Sequence, residues 1–106
     1  MRFLAEINEI TPNELRNRLR ADEKDLAVID VRENEEVAQG IIPEAKHIPL
    51  QQIPESLNEL DTDKQYVMVC RSGKRSMQAA MHLKEHGYKV SNMAGGMLEW
   101  EGDVKV

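Results

Sequence analysis

Residues 66–76 of the chain, YVMVCRSGKRS, join a short apolar run to a strongly cationic segment. The apolar part, Tyr66 to Val69, is rich in β-branched residues and too short for a globular helix, which is typical of a strand covered on both faces. A run of the same character, Leu26 to Val31, lies earlier in the chain. Both runs are predicted to be buried strands, and shorter extended segments are predicted at 46–48 and 88–90.

Helical patterns alternate with these strands. A capping box at Thr11 to Glu14 predicts a first helix from about Pro12 to Arg20, and a second helix is predicted from Leu50 to Leu60. Beyond the cationic segment one apolar face repeats at helical spacing, and Gly87 stands where a glycine ends a helix. The alternation implies an α/β fold built around a mainly parallel sheet. The members of the repeating face are Ser76, Ala79, Ala80 and Leu83.

The composition limits the classes of function. The chain of 106 residues has a mass of 12.1 kDa, which suits one domain spanning residues 1–106. Its net charge of −5 is the wrong sign for a protein that binds nucleic-acid phosphates, so no nucleic-acid partner is expected. The apolar run Phe3 to Ala5 is broken by Glu6, and no stretch reaches the roughly 18 apolar residues of a membrane span. The lone cysteine, Cys70, fits a reducing compartment, and together these features predict a mature, soluble, cytoplasmic protein without membrane contact.

Cys70 marks the candidate site. Open parallel sheets bind ligands beyond the carboxyl ends of their strands, and Cys70 directly follows a predicted strand. Backbone N–H groups of the loop and the N-terminus of the following helix can surround an anion there, and Gly73 lets the loop curl. Positive charge lowers the pKa of a thiol, so Cys70 is expected to be a thiolate at neutral pH. An ordinary core cysteine would not need the cations of this segment, which are Arg71, Lys74 and Arg75.

Spacing separates the anion-binding loops from one another. A nucleotide-binding loop needs the pattern G-x-x-x-x-G-K-[ST], but Met68 stands in place of the first glycine and Arg75 in place of the final residue. Cysteine phosphatases place one residue more between their cysteine and arginine than the four that separate Cys70 from Arg75. The shorter loop has room for a sulfur atom on Cys70 rather than for a phosphoryl group. Phosphatase or arsenate reductase chemistry is therefore the less favoured enzymatic alternative.

Three stretches of the chain carry a resemblance to a known family. They are residues 29–50, which begin IDVRE and end GIIPEAKHIPL; the loop from Cys70 to Ser76; and NMAGGM at 92–97 with Trp100. In this order they resemble the single-domain rhodaneses, the thiosulfate sulfurtransferase family. The resemblance implies a three-layer α/β/α domain with a five-stranded, mainly parallel sheet, and Cys70 as the nucleophile whose persulfide sits inside the loop.

The resemblance also implies a double displacement without metal or organic cofactor. The Cys70 thiolate takes a sulfane sulfur from thiosulfate or a persulfide donor, and a thiol or cyanide later removes it. Because the chain has no second cysteine, the expected acceptor partner is an external thiol, such as a small thiol, thioredoxin or a sulfur-delivery protein. Asp30 and Arg32 are expected to form a supporting ion pair. The loop residues expected to bind the substrate anion are Arg71, Ser72, Gly73, Lys74, Arg75 and Ser76.

Some features depart from the family pattern or leave alternatives open. Where many relatives carry G-H-I-P-G-A, this chain has Ile41 and Glu44, and a Glu44 at the pocket mouth would repel anionic donors. A non-catalytic binding module or a redox sensor is the alternative of a different class, and the intact cysteine argues against it. His82 and His86 lie four residues apart, but no third ligand is evident and no metal site is expected. A run of acidic residues is interpreted as a solvated helix start without assigned function: Glu33, Glu35 and Glu36.

Overall fold

A five-stranded sheet forms the centre of the molecule in the computed structural model, which describes residues 6–106. The run Phe3 to Ala5, used above to argue against a membrane segment, lies outside the described residues. The strand order is β1-β5-β4-β2-β3, and all four strand pairings are parallel, which confirms the predicted α/β class. The strands are β1 (Asn8–Ile10), β2 (Leu26–Asp30), β3 (Ala45–His47), β4 (Gln65–Val69) and β5 (Lys89–Met93).

Within residues 6–106, four α-helices and two short 3₁₀ turns connect the strands, and a third 3₁₀ turn follows the last strand. The predicted continuous helix from Leu50 to Leu60 is wrong, because this segment alternates 3₁₀ and α geometry. Pro54 lacks the N–H that would bond to the carbonyl of Leu50, so a new helix begins beside it. The helices are α1 (Pro12–Arg20), α2 (Asn34–Val37), α3 (Ile53–Ser56) and α4 (Lys74–Glu85); the 3₁₀ turns are Leu50–Gln52, Leu57–Glu59 and Gly96–Glu99.

The two long helices begin and end where local chemistry dictates. At the start of α1 the Thr11 hydroxyl accepts from the Glu14 N–H at 3.0 Å, and the Glu14 carboxylate accepts from the Thr11 N–H at 3.0 Å. This is the predicted capping box. Helix α4 ends before Gly87, whose φ of +89° is costly for any other residue type.

Apolar side chains cover both faces of the sheet. Ile29 and Met68 belong to the cluster under α3 and α4, whereas their neighbours Val28 and Val67 belong to the cluster under α1. Because successive residues of a strand point to opposite faces, strands buried on both faces read as continuous apolar runs. The result is the predicted three-layer arrangement. No helix within residues 6–106 is long and apolar enough to cross a membrane.

Candidate active site

Cys70 lies directly after β4, the middle strand of the sheet, and its side chain is buried. The chain then curls through Gly73, whose φ is +101°, before α4 begins. This turn directs the Gly73 N–H back to the sulfur of Cys70, with an N···Sγ distance of 3.0 Å. The Ser76 hydroxyl in the first turn of α4 donates to the same sulfur at 3.3 Å. The loop thus forms a ring of donors around one sulfur atom.

This ring changes the acidity of the thiol. Burial acts to raise the pKa of Cys70, because a low-dielectric environment disfavours the thiolate. Hydrogen bonds from the Ser76 hydroxyl and from the N–H groups of Ser76, Gly73 and Ser72 act in the opposite direction and outweigh burial. The pKa of Cys70 therefore lies below its ordinary value, which favours the nucleophilic form of the sulfur.

The three cations of the loop have different environments. Arg75 donates from both Nη atoms to the two carboxylate oxygens of Glu36, at 2.7 and 2.9 Å. This bidentate pair lowers the pKa of Glu36 to about 2 and raises the pKa of Arg75. The side chains of Arg71 and Lys74 are exposed, and neither side chain makes a hydrogen bond or an ion pair with any residue in 6–106. Two of the three loop cations are consequently available to a ligand.

Glu36 is a site residue that the sequence analysis did not single out. It stands beside Glu35 in an acidic run, and composition alone cannot tell the two carboxylates apart. In the structure Glu36 also accepts from the Glu33 N–H at 3.0 Å, so α2 holds it in place opposite Arg75. Only the tertiary contact distinguishes it from its neighbours.

Asp30 and Arg32 form a closed polar network at the end of β2. The Asp30 carboxylate accepts from the Arg32 backbone N–H at 3.0 Å and from its Nη2 at 2.8 Å, and both residues are buried. Arg32 Nη2 also donates to the carbonyl of Gly40 at 2.7 Å. His47 Nε2 lies 2.6 Å from the carbonyl oxygen of Arg32. The predicted ion pair is present next to the loop, and its further hydrogen-bond partners are other groups of the protein.

The final 3₁₀ turn, Gly96–Glu99, braces the loop from outside. The N–H groups of Met97 and Leu98 donate to the carbonyls of Cys70 and Arg71, at 2.8 and 3.0 Å. A side chain at Gly96 would lie 2.3 Å from the Arg71 carbonyl oxygen, so only glycine permits this approach.

Asn92 braces the loop from beneath and was also missed as an individual residue. Its side-chain amide is buried and donates to the carbonyl of Gly73 at 3.0 Å. The same Nδ2 donates to the carboxylate of Glu9 at 3.2 Å. The available signal was its place in the NMAGGM segment, which gave no indication of its contact with the loop. Asn92 thereby orients the residue that donates to Cys70.

The structure corrects the hypothesis about Glu44. Glu44 is exposed and lines a separate pocket with Arg16 and Trp100. Because β3 runs parallel to β2, the segment before β3 lies away from the carboxyl ends of the strands where Cys70 stands. Glu44 is not at the mouth of the candidate site. The residues that line the open pocket beside the loop are Arg32, Glu36, Gln39, Arg71, Met97 and Leu98.

The remaining predicted features have modest roles. The Ser72 side chain is exposed, and only its backbone N–H contributes to the environment of Cys70. The rings of His82 and His86 lie 4.5 Å apart on α4. In the part of the chain that the structure describes, no group of three histidine, cysteine or carboxylate side chains is placed to hold a metal ion.

Comparisons with known proteins agree with this fold. Residues 11–103 match the family described as "Rhodanese-like domain". The Bacillus subtilis protein named "Putative sulfurtransferase YtwF" is 52% identical over 100 residues, covering 94% of this chain and 96% of that protein. A protein of Allochromatium vinosum named "Sulfurtransferase" is 42% identical, covering 89% of this chain and 88% of its own. The crystal structure of a rhodanese-like domain protein from Staphylococcus aureus superposes with a TM-score of 0.87 at 38% identity, covering 94% of this chain and 98% of that chain.

Proposed function

The chain belongs to the rhodanese-like domain family, and on this premise we propose that it is a sulfurtransferase carrying a sulfane sulfur on Cys70. Sulfurtransferase relatives support the transferase class. The observation that carries the proposal is the sulfur of Cys70 held between the Gly73 N–H and the Ser76 hydroxyl, with its pKa lowered. The domain proposed to act is the single unit of residues 1–106.

The reaction proceeds in two displacements. The Cys70 thiolate attacks the outer sulfur of thiosulfate, the S–S bond of the donor breaks, and its electron pair leaves with sulfite. A persulfide anion then remains on Cys70. In the second step an acceptor thiolate or cyanide attacks the outer sulfur, and the Cys70 thiolate leaves. Each step exchanges one bond to sulfur for another, and neither needs a metal, an oxidant or a proton from the protein.

The surroundings of Cys70 suit both charged species. Inward N–H groups stabilise the persulfide anion as they stabilise the thiolate. The side chains of Arg71 and Lys74, which lack partners among residues 6–106, can neutralise the donor and the departing sulfite. Arg75 is engaged with Glu36 and is less able to bind a phosphoryl group, which is a further argument against phosphatase chemistry.

The proposal extends to partners and location. Thiosulfate or a persulfide is the proposed donor, and a thiol is the proposed acceptor, either a small thiol or one on thioredoxin or a sulfur-delivery protein. With a single cysteine, the chain cannot discharge its own persulfide as an internal disulfide. A thiol that must stay reduced favours a reducing compartment, so a cytoplasmic location is part of the proposal.

Intact mass spectrometry tests the carrier step. The protein is incubated with thiosulfate, desalted and weighed, with Cys70→Ser treated identically. We expect a gain of one sulfur atom in the unchanged protein alone, removed by cyanide as thiocyanate. If neither thiosulfate nor a small persulfide adds sulfur to Cys70, the sulfurtransferase proposal is wrong and a binding or redox-sensing role takes its place.

A further inference from the structure

Leu98 is one of three exposed large apolar residues in the described part of the chain, and the other two, Val104 and Val106, lie at its end. The Leu98 side chain is 62% accessible. It stands on the 3₁₀ turn Gly96–Glu99, and its N–H donates to the Arg71 carbonyl at 3.0 Å. Only this backbone group contributes to holding the loop. The side chain itself projects beside the pocket that Arg71 also lines.

The surface on the two sides of Leu98 differs in charge. On one side lies the pocket with Arg71, whose guanidinium has no ion-pair partner among residues 6–106. On the other side Leu98 lines a shallow groove with Glu99 and Glu101. The Arg71 guanidinium is therefore an unpaired positive charge beside an exposed leucine, in a chain whose net charge is −5. A partner that complements this surface needs an apolar side chain facing Leu98 and acidic groups facing Arg71.

The depth of the sulfur restricts how an acceptor can reach it. Cys70 is fully buried, with 0% of its surface accessible, beneath a loop whose rim carries Arg71. A cysteine on a protruding segment of another protein can place its sulfur there while its neighbouring residues stay on the rim. Contacts between those neighbouring residues and the rim then increase the affinity for the acceptor protein without involving the reacting sulfur atoms.

We propose that Leu98 and Arg71 form a docking surface for a protein that carries the acceptor thiol, in a segment with an apolar residue and acidic residues beside its cysteine. This inference rests on the proposed function, since it concerns the protein that unloads the Cys70 persulfide. Leu98 provides the apolar contact and Arg71 the charge selection.

The test uses three cysteine peptides of equal length as probes. The first carries a leucine and two glutamates near its cysteine, the second replaces the leucine by serine, and the third replaces the glutamates by glutamines. Protein preloaded with thiosulfate and desalted is mixed with each peptide, and loss of the added sulfur is followed by mass. Cyanide serves as the small acceptor that needs no docking.

For Leu98→Ser we expect transfer to the first peptide to slow about tenfold, the scale set by losing contact with one buried leucine. Transfer to the serine peptide and to cyanide is expected to change less than twofold. Val104→Ser is the matched control, because Val104 is 47% exposed but lies outside both surfaces that flank Leu98, and it is expected to behave as the unchanged protein.

For Arg71→Gln we expect the preference for the glutamate peptide over the glutamine peptide to disappear, and raised salt to weaken that preference in the unchanged protein. Lys89→Gln, a cation at the start of β5 and hence at the opposite end of the sheet, is the control.

The two proposals fail in different ways. If the persulfide forms and cyanide removes it, but all three peptides react equally with the unchanged protein and with Leu98→Ser, the docking surface is refuted and the sulfurtransferase stands. If no persulfide forms on Cys70, both are refuted.

Discussion

The ends of β2 and β4 lie side by side in the sheet, and they use polar groups in opposite ways. At the end of β2, the Asp30 carboxylate and the Arg32 guanidinium are buried and bonded to each other and to the backbone. At the end of β4, the loop directs N–H groups at Cys70 and leaves the side chains of Arg71 and Lys74 without partners in the described part of the chain.

This difference suggests distinct roles for the two strand ends: the end of β2 stabilises the fold, and the end of β4 is suited to bind a ligand. A network whose donors and acceptors are all satisfied stabilises one arrangement, and it cannot take a ligand without losing bonds. A loop with unused cations and inward N–H groups gains bonds when an anion arrives. The Asp30–Arg32 pair is thus expected to govern stability, and the Cys70 loop to govern reactivity.

The largest expected effect is a loss of stability when Asp30 is replaced, which tests the role assigned to the end of β2. In Asp30→Ala the Arg32 charge stays buried without its carboxylate, and we expect the free energy of unfolding to fall by about 3–5 kcal/mol in urea titrations.

The double variant Asp30→Ala, Arg32→Met removes the stranded charge and is expected to recover at least half of the loss. A double variant as unstable as Asp30→Ala would show that burial of the unpaired charge is not the cause. If Asp30→Ala does not fold at all, recovery of folding in the double variant tests the same point.

A smaller effect, on the reactivity of Cys70, is expected when Asn92 beneath the loop is replaced. In Asn92→Leu the Gly73 carbonyl loses the Asn92 amide and keeps only the Met77 N–H, 3.3 Å away, and we expect the Gly73 N–H to leave its position near Cys70. The pKa of Cys70 should then rise, and alkylation by iodoacetamide at pH 7 should slow about three- to tenfold.

The pH profile of alkylation distinguishes this role from simple destabilisation, which would not move its midpoint. Asn58→Leu, an exposed asparagine in the 3₁₀ turn Leu57–Glu59, is the matched control and should leave the midpoint unchanged. An unchanged midpoint in Asn92→Leu would contradict the positioning role.

The smallest effect concerns the Glu36–Arg75 pair. Arg75 lowers the pKa of Glu36 to about 2, so the pair contributes stability above the unfolded pKa of about 4.5 and loses it as pH falls towards 2. Because both side chains are partly exposed, the contribution at pH 7 is expected to be below about 1 kcal/mol.

Urea titrations of Glu36→Gln and the unchanged protein should therefore differ slightly at pH 7 and converge as the pH falls below about 4.5. Glu35→Gln removes an exposed carboxylate of the same helix that has no partner within residues 6–106, and should show no such convergence. A difference that stays constant down to pH 2 would show that the ion pair is not its source.

Much of the fold could be predicted because its signals are local. The capping box at Thr11, the apolar runs of β2 and β4 and the glycine after α4 each act within a few residues. The edge strand β1 was not predicted, since three residues with little burial carry no apolar periodicity. The break near Pro54 was missed because an amphipathic pattern does not reveal which carbonyls lose a donor.

For the candidate site, the chain order Val69-Cys70 followed by cations and Gly73 was sufficient to place a thiol, a curled loop and a helix N-terminus together. Strand, turn and helix follow one another along the chain there, so the sequence by itself determined the candidate nucleophile and the N–H groups that surround its sulfur.

Only the tertiary structure decided which cations are free. Glu36 is 39 residues from Arg75, and Asn92 is 19 from Gly73, so these contacts depend on how β2, β4 and β5 are arranged in the sheet. The same arrangement places Leu98 beside Arg71 and places Glu44 away from the mouth of the candidate site. Charge pairing across a sheet edge depends on distances of a few ångströms between remote segments, and these distances exist only after the strands have paired.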